Sequence, residues 1–320
     1  MVSPASREIK GGIPQSRTNL DKTIDTSFVG LTQVFAWGVL GVLVLISIPI
    51  ILQAIPAIQE FGLGFIFDSA WDPVNSRYGA FPMIYGTLIT SLIALLIAVP
   101  LGLGTAIFLS ENFIPPQVRT ALTFMVELLA AIPSVVYGLW GIFVLVPFLR
   151  PVQMFLFKTL GWIPIFSTPP AGPGTFPAGV VLAIMVLPII TVIARDSLAS
   201  LPPELRQASL GLGATRWITI FRVLIPAAFS GIIGGVMLGL GRAMGETMAA
   251  TMIIGNSNRF SPSLFAPGNT IASLLANQFP EASGLQISAL MYAALVLFIL
   301  TLIVNVLAQQ IVNRVQSKYE

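Results

Sequence analysis

Six stretches of this chain are long and apolar enough to cross a lipid bilayer as helices. They are Gln33–Ile55, Ile84–Leu109, Phe124–Leu149, Pro177–Ala194, Ala227–Ile254 and Ile287–Val312. Backbone polar groups find no water inside a bilayer, so only helices or closed barrels can span it, and these stretches are too long for barrel strands. The composition agrees, because 55% of the residues are hydrophobic and only 9% are charged. The sequence therefore predicts an all-α polytopic membrane protein with six transmembrane helices.

The basic residues are distributed unevenly between the two sets of loops. Of sixteen Lys and Arg residues, eleven lie before the first stretch, at Arg119, between Arg195 and Arg222, or after the last stretch. The alternate loops hold only Arg77, Arg150, Lys158 and Arg259. Because basic residues accumulate in cytoplasmic loops, this bias predicts that both termini are cytoplasmic. The net positive charge then reflects membrane topology, and we expect no nucleic-acid partner.

The chain contains neither Cys nor His. Thiol chemistry, thiolate metal sites and His-based catalysis are therefore excluded, and no metal site is predicted. The sequence also lacks the GxxxxGKS or GxxxxGKT loop that cradles nucleotide phosphates. We therefore expect a transport protein rather than an enzyme.

Arg242 and Glu246 are the only charged residues in the fifth apolar stretch. On a helix with 100° per residue, both would share one narrow face with Gly231, Gly235 and Gly239. Glycines spaced four apart allow a second helix to approach closely, so this face is expected to contact protein rather than lipid. The pair is predicted to lie at a helix interface within the membrane.

A charged side chain in the hydrocarbon region costs about 2.5–3.5 kcal/mol on insertion scales. Arg242 is therefore predicted to bind an anion on its way across the membrane, with Glu246 weakening that binding enough to permit release. The alternative is a structural ion pair, since Arg and Glu four residues apart can neutralise each other on one helix. The two interpretations are compatible.

Several polar residues lie near other spans. Ser134 and Tyr137, beside Pro133, are candidates for a polar path, although packing between helices would also explain them. Gln53, Glu127 and Asn305 lie near span ends, and each is predicted to reach the membrane interface.

The longest cytoplasmic segment is predicted to form a helix, a turn and a second helix. Pro202 and Pro203 can begin a helix, and Gly211 and Gly213 can end it in left-handed conformations. An apolar face then recurs at helical spacing at Trp217, Ile220, Phe221 and Leu224. Such a face needs a cover, from the chain itself, the bilayer or a partner.

The same segment contains Gln207-Ala208-Ser209, then Gly213, then Val223 and Ile225-Pro226, at spacings of three, nine and one residues. This pattern resembles the EAA loop of ABC importer permeases, with Gln207 where that family usually has Glu. The resemblance implies a type I (MetI-like) permease core and a coupling helix that docks on a separate ATPase dimer. ATP and Mg²⁺ would be bound by the ATPase, and no cofactor by this chain. The implied coupling residues are Glu204, Arg206, Gln207, Ala208, Ser209, Gly213 and Pro226.

Segments 239–249 and 131–138 resemble the phosphate-specific branch of that family. Segments 71–79 and 84–87 resemble its PstC-type subunit rather than the PstA-type partner. The resemblance implies phosphate as substrate, a PstA-type second permease, an extracytoplasmic phosphate-binding protein and the bacterial inner membrane as location. The implied substrate pathway comprises Arg242, Glu246, Thr247, Ser134 and Tyr137.

These inferences predict a flexible cytoplasmic tail over residues 1–30 and a peripheral transmembrane helix over 31–56. An extracytoplasmic loop follows over 57–83. The permease core then covers 84–312, with the coupling loop at 195–226, and 313–320 form a second cytoplasmic tail. Two alternatives stay open. One is a secondary anion transporter or channel that uses the same charged pair, and the other is an ABC permease for another oxyanion, because Arg alone does not discriminate between oxyanions.

Overall fold

The computed structural model describes residues 19–316. Residues 1–18 of the predicted amino-terminal tail, and 317–320 at the other end, lie outside the described residues. The described part is almost entirely helical, with one two-stranded hairpin. The helices are α1 (Asn19–Phe61), α2 (Gly64–Phe67), α3 (Phe81–Ser110), α4 (Pro116–Ala130), α5 (Ser134–Trp140), α6 (Val146–Leu160), α7 (Thr175–Ala199), α8 (Pro203–Gly211), α9 (Arg216–Thr219), α10 (Ile225–Ala227), α11 (Phe229–Gly245), α12 (Met248–Ile253), α13 (Ile271–Gln278) and α14 (Leu285–Gln316).

Five helical segments of the described chain are long and apolar enough to cross a membrane. They are Ser27–Phe61, Phe81–Ser110, Ser134–Leu160, Thr175–Ala199 and Leu285–Arg314. A sixth span results if Arg216–Ala227 and Phe229–Gly245, which meet at a bend of 71°, are counted together. The six predicted spans are therefore obtained only if this bent pair of helices is counted as one span.

The third predicted span, Phe124–Leu149, has the wrong boundaries. α4 ends at Ala130, Pro133 is extended with φ −59° and ψ 141°, and a new helix starts at Ser134 and continues to Leu160. Proline lacks an N–H and disfavours the helical conformation at the residue before it, which suits a break at this position. The observed span starts about ten residues later than the sequence pattern indicates.

The fifth predicted span, Ala227–Ile254, is not one helix. α11 ends at Gly245, Glu246 is extended with φ −68° and ψ 124°, and α12 begins at Met248. Glycine is a poor helix former, and the Glu246 carboxylate accepts a hydrogen bond from the backbone N–H of Ala249, in the first turn of α12. Such a cap requires a non-helical backbone at the residue that supplies it. The prediction that Glu246 shares a helical face with Arg242 is therefore wrong.

Two wide helical turns each end two residues before a proline. The π-helical turn Gly141–Leu145 precedes Pro147, and the π-helical turn Ile220–Leu224 precedes Pro226. A proline ring clashes with the carbonyl four residues earlier and removes one hydrogen bond. A turn with longer spacing relieves that clash while the helix continues, as π-bulges do elsewhere.

The chain divides into two packing units at Leu52. Up to that residue, the described side chains of α1 are largely exposed, including Trp37 and Leu45. In the second unit, α7 is the most deeply buried of the long helices and packs along α3, with Ala94, Val186 and Ile190 in the shared core. The second unit carries the sites described below.

A small hairpin precedes α3. Its strands β1 (Trp71–Asp72) and β2 (Arg77–Tyr78) are antiparallel, and the Trp71 indole donates a hydrogen bond of 2.7 Å to Gln278. Tyr78 is buried, and its ring packs edge-on against Trp71 within an aromatic cluster. In the turn, the Asn75 side chain donates to Asp72 at 2.6 Å, and this hydrogen bond lowers the pKa of the Asp72 carboxyl.

Candidate functional site

The glycine face of α11 packs against α7. A Cβ atom on Gly235 would lie 3.1 Å from Ile193, and one on Gly239 would lie 3.0 Å from Ile190. The space beside Gly231 is filled by Ser197. The expectation that this face contacts protein is therefore confirmed.

Arg242 lies in the last turn of α11, thirteen residues after Phe229, which corresponds to roughly 20 Å along the helix axis. Its side chain is 44% exposed, whereas that of Glu246 is 7% exposed. Arg242 Nη2 lies 3.9 Å from Glu246 Oε2, which is beyond hydrogen-bond length. No hydrogen bond involves the Arg242 guanidinium within residues 19–316. Its donors therefore stay available to a ligand.

An open cleft of about 570 Å³ is formed around this pair. Its walls come from α7, α11, the junction between α11 and α12, and α14. The lining residues are Ile189, Met237, Leu238, Gly241, Arg242, Gly245, Glu246 and Asn305. A mostly apolar concave surface with a few polar groups is typical of a ligand site. A guanidinium in such a place can offer two parallel hydrogen bonds to an oxyanion.

Asn305 is the residue of this cleft that the sequence analysis missed. It was predicted to reach the membrane interface, but it lines the cleft, and its side-chain oxygen is buried with no hydrogen-bond partner in the described part of the chain. Leaving a buried acceptor unpaired costs about 1–3 kcal/mol. Glu127, for which the same prediction was made, lies 3.5 Å from Arg195 Nη1 and thus connects α4 with α7.

The other predicted pathway residues are not part of the lining of this cleft. The Thr247 hydroxyl donates to the carbonyl of Gly245 at 3.2 Å, which closes the turn after α11. Tyr137 is buried and its hydroxyl donates to the carbonyl of Leu129 at 2.8 Å. Ser134 begins the same helix, α5, which packs against α12. A role for these three in substrate transport stays a prediction.

The segment between α7 and α11 forms the predicted helix and turn. α8 runs from Pro203 to Gly211, and Gly213 has a positive φ of 83°. After the turn, Ile220 and Leu224 are buried. Trp217 and Phe221 stay exposed and stack on each other at 5.9 Å, so only half of the predicted apolar face is covered.

Arg206 anchors α8 to the ends of two long helices. Its Nε donates a hydrogen bond of 3.0 Å to Oε1 of Glu111, the residue that immediately follows α3. Its Nη2 donates a hydrogen bond of 2.9 Å to the carbonyl of Leu198, in the last turn of α7. A cation at a helix carboxyl end is favourable because it compensates the unpaired carbonyls there. Ser209 makes a second inward contact, a hydrogen bond of 2.9 Å with Thr219.

Other predicted coupling residues point away from the chain. Glu204, Gln207 and Ala208 are exposed on α8, and Leu212 in the following turn is 90% exposed. α8 therefore has an inner face that holds it to α3 and α7 and an outer face that is open. Pro226 is half-buried at the start of α10.

Residues 98–317 match the family described as binding-protein-dependent transport system inner membrane component. The chain is also similar to curated proteins over nearly its whole length. It is 45% identical to the phosphate transport system permease protein PstC of Haemophilus influenzae, over 95% of this chain and 98% of that protein. The corresponding protein of Mesorhizobium japonicum is 42% identical, over 97% and 98%.

Two solved structures share the fold at low sequence identity. One is a bacterial ABC transporter involved in import of the acidic polysaccharide alginate, with a TM-score of 0.57 and 16% identity over 93% of this chain and 99% of that chain. Another is the MetNI methionine ABC transporter in inward-facing conformations, with a TM-score of 0.52 and 17% identity over 74% and 94%. Together with the apolar helices and the EAA-like segment, these matches show that the chain belongs to the family of binding-protein-dependent transport system inner membrane components.

Proposed function

We propose that this chain is a permease subunit of an ATP-driven phosphate importer. The observation that carries the proposal is its 45% identity to a phosphate transport system permease over almost the full length of both proteins. The cleft around Arg242 supports it independently, because an accessible guanidinium within an apolar wall suits an anionic substrate.

In this proposal, phosphate enters between this chain and a second, PstA-type permease and meets Arg242. Two N–H groups of the guanidinium bind two phosphate oxygens. Glu246, 3.9 Å away, lowers the attraction for a dianion, so that the anion is bound weakly enough to leave. An extracytoplasmic phosphate-binding protein delivers the substrate.

The outer face of α8 docks on a separate ATPase dimer, which binds ATP and Mg²⁺. Arg206 and Ser209 hold the inner face to the long helices, so closure of the ATPases moves α3 and α7 together with α8. Both termini and α8 lie in the cytoplasm, and the membrane is the bacterial inner membrane. This orientation rests on the distribution of basic residues.

The test is uptake of labelled phosphate by cells that lack only this chain and are then given the wild-type gene. We expect uptake to return, to stop when ATP is depleted, and to resist competition by unlabelled sulfate or molybdate. Uptake that persists without ATP would favour a secondary transporter or channel instead. Competition by molybdate at equal concentration would reassign the substrate to another oxyanion.

Co-purification of a nucleotide-binding subunit, lost when the outer face of α8 is altered, would support the ATPase partner.

A further inference from the structure

Asn305 is a polar residue in an apolar part of α14. Its neighbours in the sequence are Val304 and Val306, and its side-chain oxygen is buried without a partner among the residues that the structure describes. Apolar side chains supply no hydrogen bonds, so a buried amide oxygen needs a partner from protein, water or a ligand. The surroundings of Asn305 indicate a ligand.

The cleft that Asn305 lines is otherwise polar only at Arg242 and Glu246. These three side chains come from α14, from the last turn of α11 and from the α11–α12 junction. Asn305 is distant in sequence from the other two, and the three meet at one surface. Convergence of a few polar groups on an apolar cleft is the usual arrangement for orienting a small ligand.

The three groups also differ in their hydrogen-bonding chemistry. Arg242 only donates, ionised Glu246 only accepts, and the Asn305 amide does both. Phosphate near neutral pH carries ionised oxygens together with at least one P–O–H group, so it can use all three. The cleft extends along α11 from Met237 to Gly245, eight residues or roughly 12 Å, which gives an anion room for more than one contact.

We propose that Asn305 binds the transported oxyanion in this cleft, as a neutral second contact beside Arg242. The amide N–H groups donate to ionised oxygens, and the carbonyl accepts from a protonated one. A neutral group adds a directional contact without adding a second positive charge, so binding does not become too tight for release. This inference rests on the proposed function and assigns a further substrate contact to it.

The experiment measures the concentration dependence of labelled phosphate uptake in cells that carry the complete importer. Asn305→Leu, which keeps the size but removes the amide, is expected to raise KM about tenfold, as loss of a hydrogen bond to a charged ligand does. Asn305→Asp keeps the shape but adds a negative charge beside Glu246, and we expect it to reduce uptake further. The matched control is Asn313→Leu, on the exposed surface of α14 and outside the cleft.

Uptake is divided by the amount of chain in the membrane, so that a loss of folding is not counted as a loss of binding. An unchanged KM in Asn305→Leu, or Asn305→Asp activity equal to that of the wild type, would overturn the role of Asn305 while leaving the importer intact. A lower maximum rate with unchanged KM would assign Asn305 a structural role and would likewise overturn the proposal. Failure of the wild-type gene itself to restore uptake would overturn the proposed function, and this inference with it.

Discussion

The two carboxylate oxygens of Glu246 have different neighbours. Oε1 accepts from the Ala249 N–H at 3.3 Å, and Oε2 lies 3.9 Å from Arg242 Nη2. The first contact orients the carboxylate at the helix break. The second is too long for a hydrogen bond, so Glu246 reduces the positive potential at Arg242 without occupying its donors.

We expect Glu246→Gln to tighten phosphate binding and slow its release. Glutamine keeps the acceptor for Ala249 but removes the charge that opposes an anion. If the pair contributes about 1 kcal/mol, KM and the maximum rate should both fall about fivefold. Uptake kinetics of the variant and the wild type in the same cells decide this. A higher KM in Glu246→Gln would show that Glu246 assists binding instead.

Two residues of the cleft were accessible to sequence reasoning and one was not. Arg242 and Glu246 were found because a charge in an apolar stretch is costly and therefore informative. Asn305 carries no charge and lies near the end of a span, where an amide is unremarkable. Only the packing of α14 near α11 shows that it shares a cleft with them.

At the scale of elements, the turn after α8 depends on the backbone of Gly213. Its φ of 83° is a conformation that other residues adopt at a cost of about 1–2 kcal/mol, although the space around it is open. Gly211 also has open space but no positive φ. Because both glycines have open space and only Gly213 has a positive φ, a difference between their alanine variants would report the backbone conformation and not crowding.

We expect Gly213→Ala to uncouple transport, because the strained turn would displace α8, and Gly213→Glu to do so more strongly. Gly211→Ala should behave like the wild type. The measurement is phosphate uptake per ATP hydrolysed, together with the amount of chain in the membrane. Equal coupling in Gly213→Ala and Gly211→Ala would remove the turn from the mechanism.

Arg206 should be more important than its exposed neighbours on α8. Arg206→Gln removes the charge that joins Glu111 to the end of α7, so we expect ATP hydrolysis to continue while uptake falls about tenfold. Arg222→Gln is the matched control, since Arg222 is exposed in the same segment between α7 and α11. Uptake per ATP at the wild-type level in Arg206→Gln would mean that the coupling movement passes elsewhere.

Element ends were predictable where the sequence marks them chemically. Pro203 begins α8 and Gly213 follows its end, as proline at a first turn and glycine in a left-handed conformation predict. The break at Glu246 was not predicted, because hydrophobicity continues across it. Hydropathy reports what suits a membrane and says little about where a helix ends within it.

At the scale of the whole molecule, composition and apolar runs were sufficient to predict a polytopic helical protein. They did not predict that α7 would be the most buried of the long helices, or that it would receive the glycine face of α11. Which helices pack together depends on side-chain fit, for example Gly239 against Ile190, and one chain's hydropathy does not contain that information. The predicted division into tails, peripheral helix and permease core stays a prediction.

In the proposed mechanism, an anion passes Arg242 in an ATP-driven importer. The most direct test is uptake of labelled phosphate at low external concentration in cells lacking only this chain, restored with wild type, Arg242→Lys or Arg242→Gln. We predict full, ATP-dependent uptake with the wild type, reduced uptake with Arg242→Lys, which keeps the charge but loses the planar fork, and none with Arg242→Gln. Wild-type uptake by both variants, at equal amounts in the membrane, would contradict the claim and leave Arg242 a structural residue.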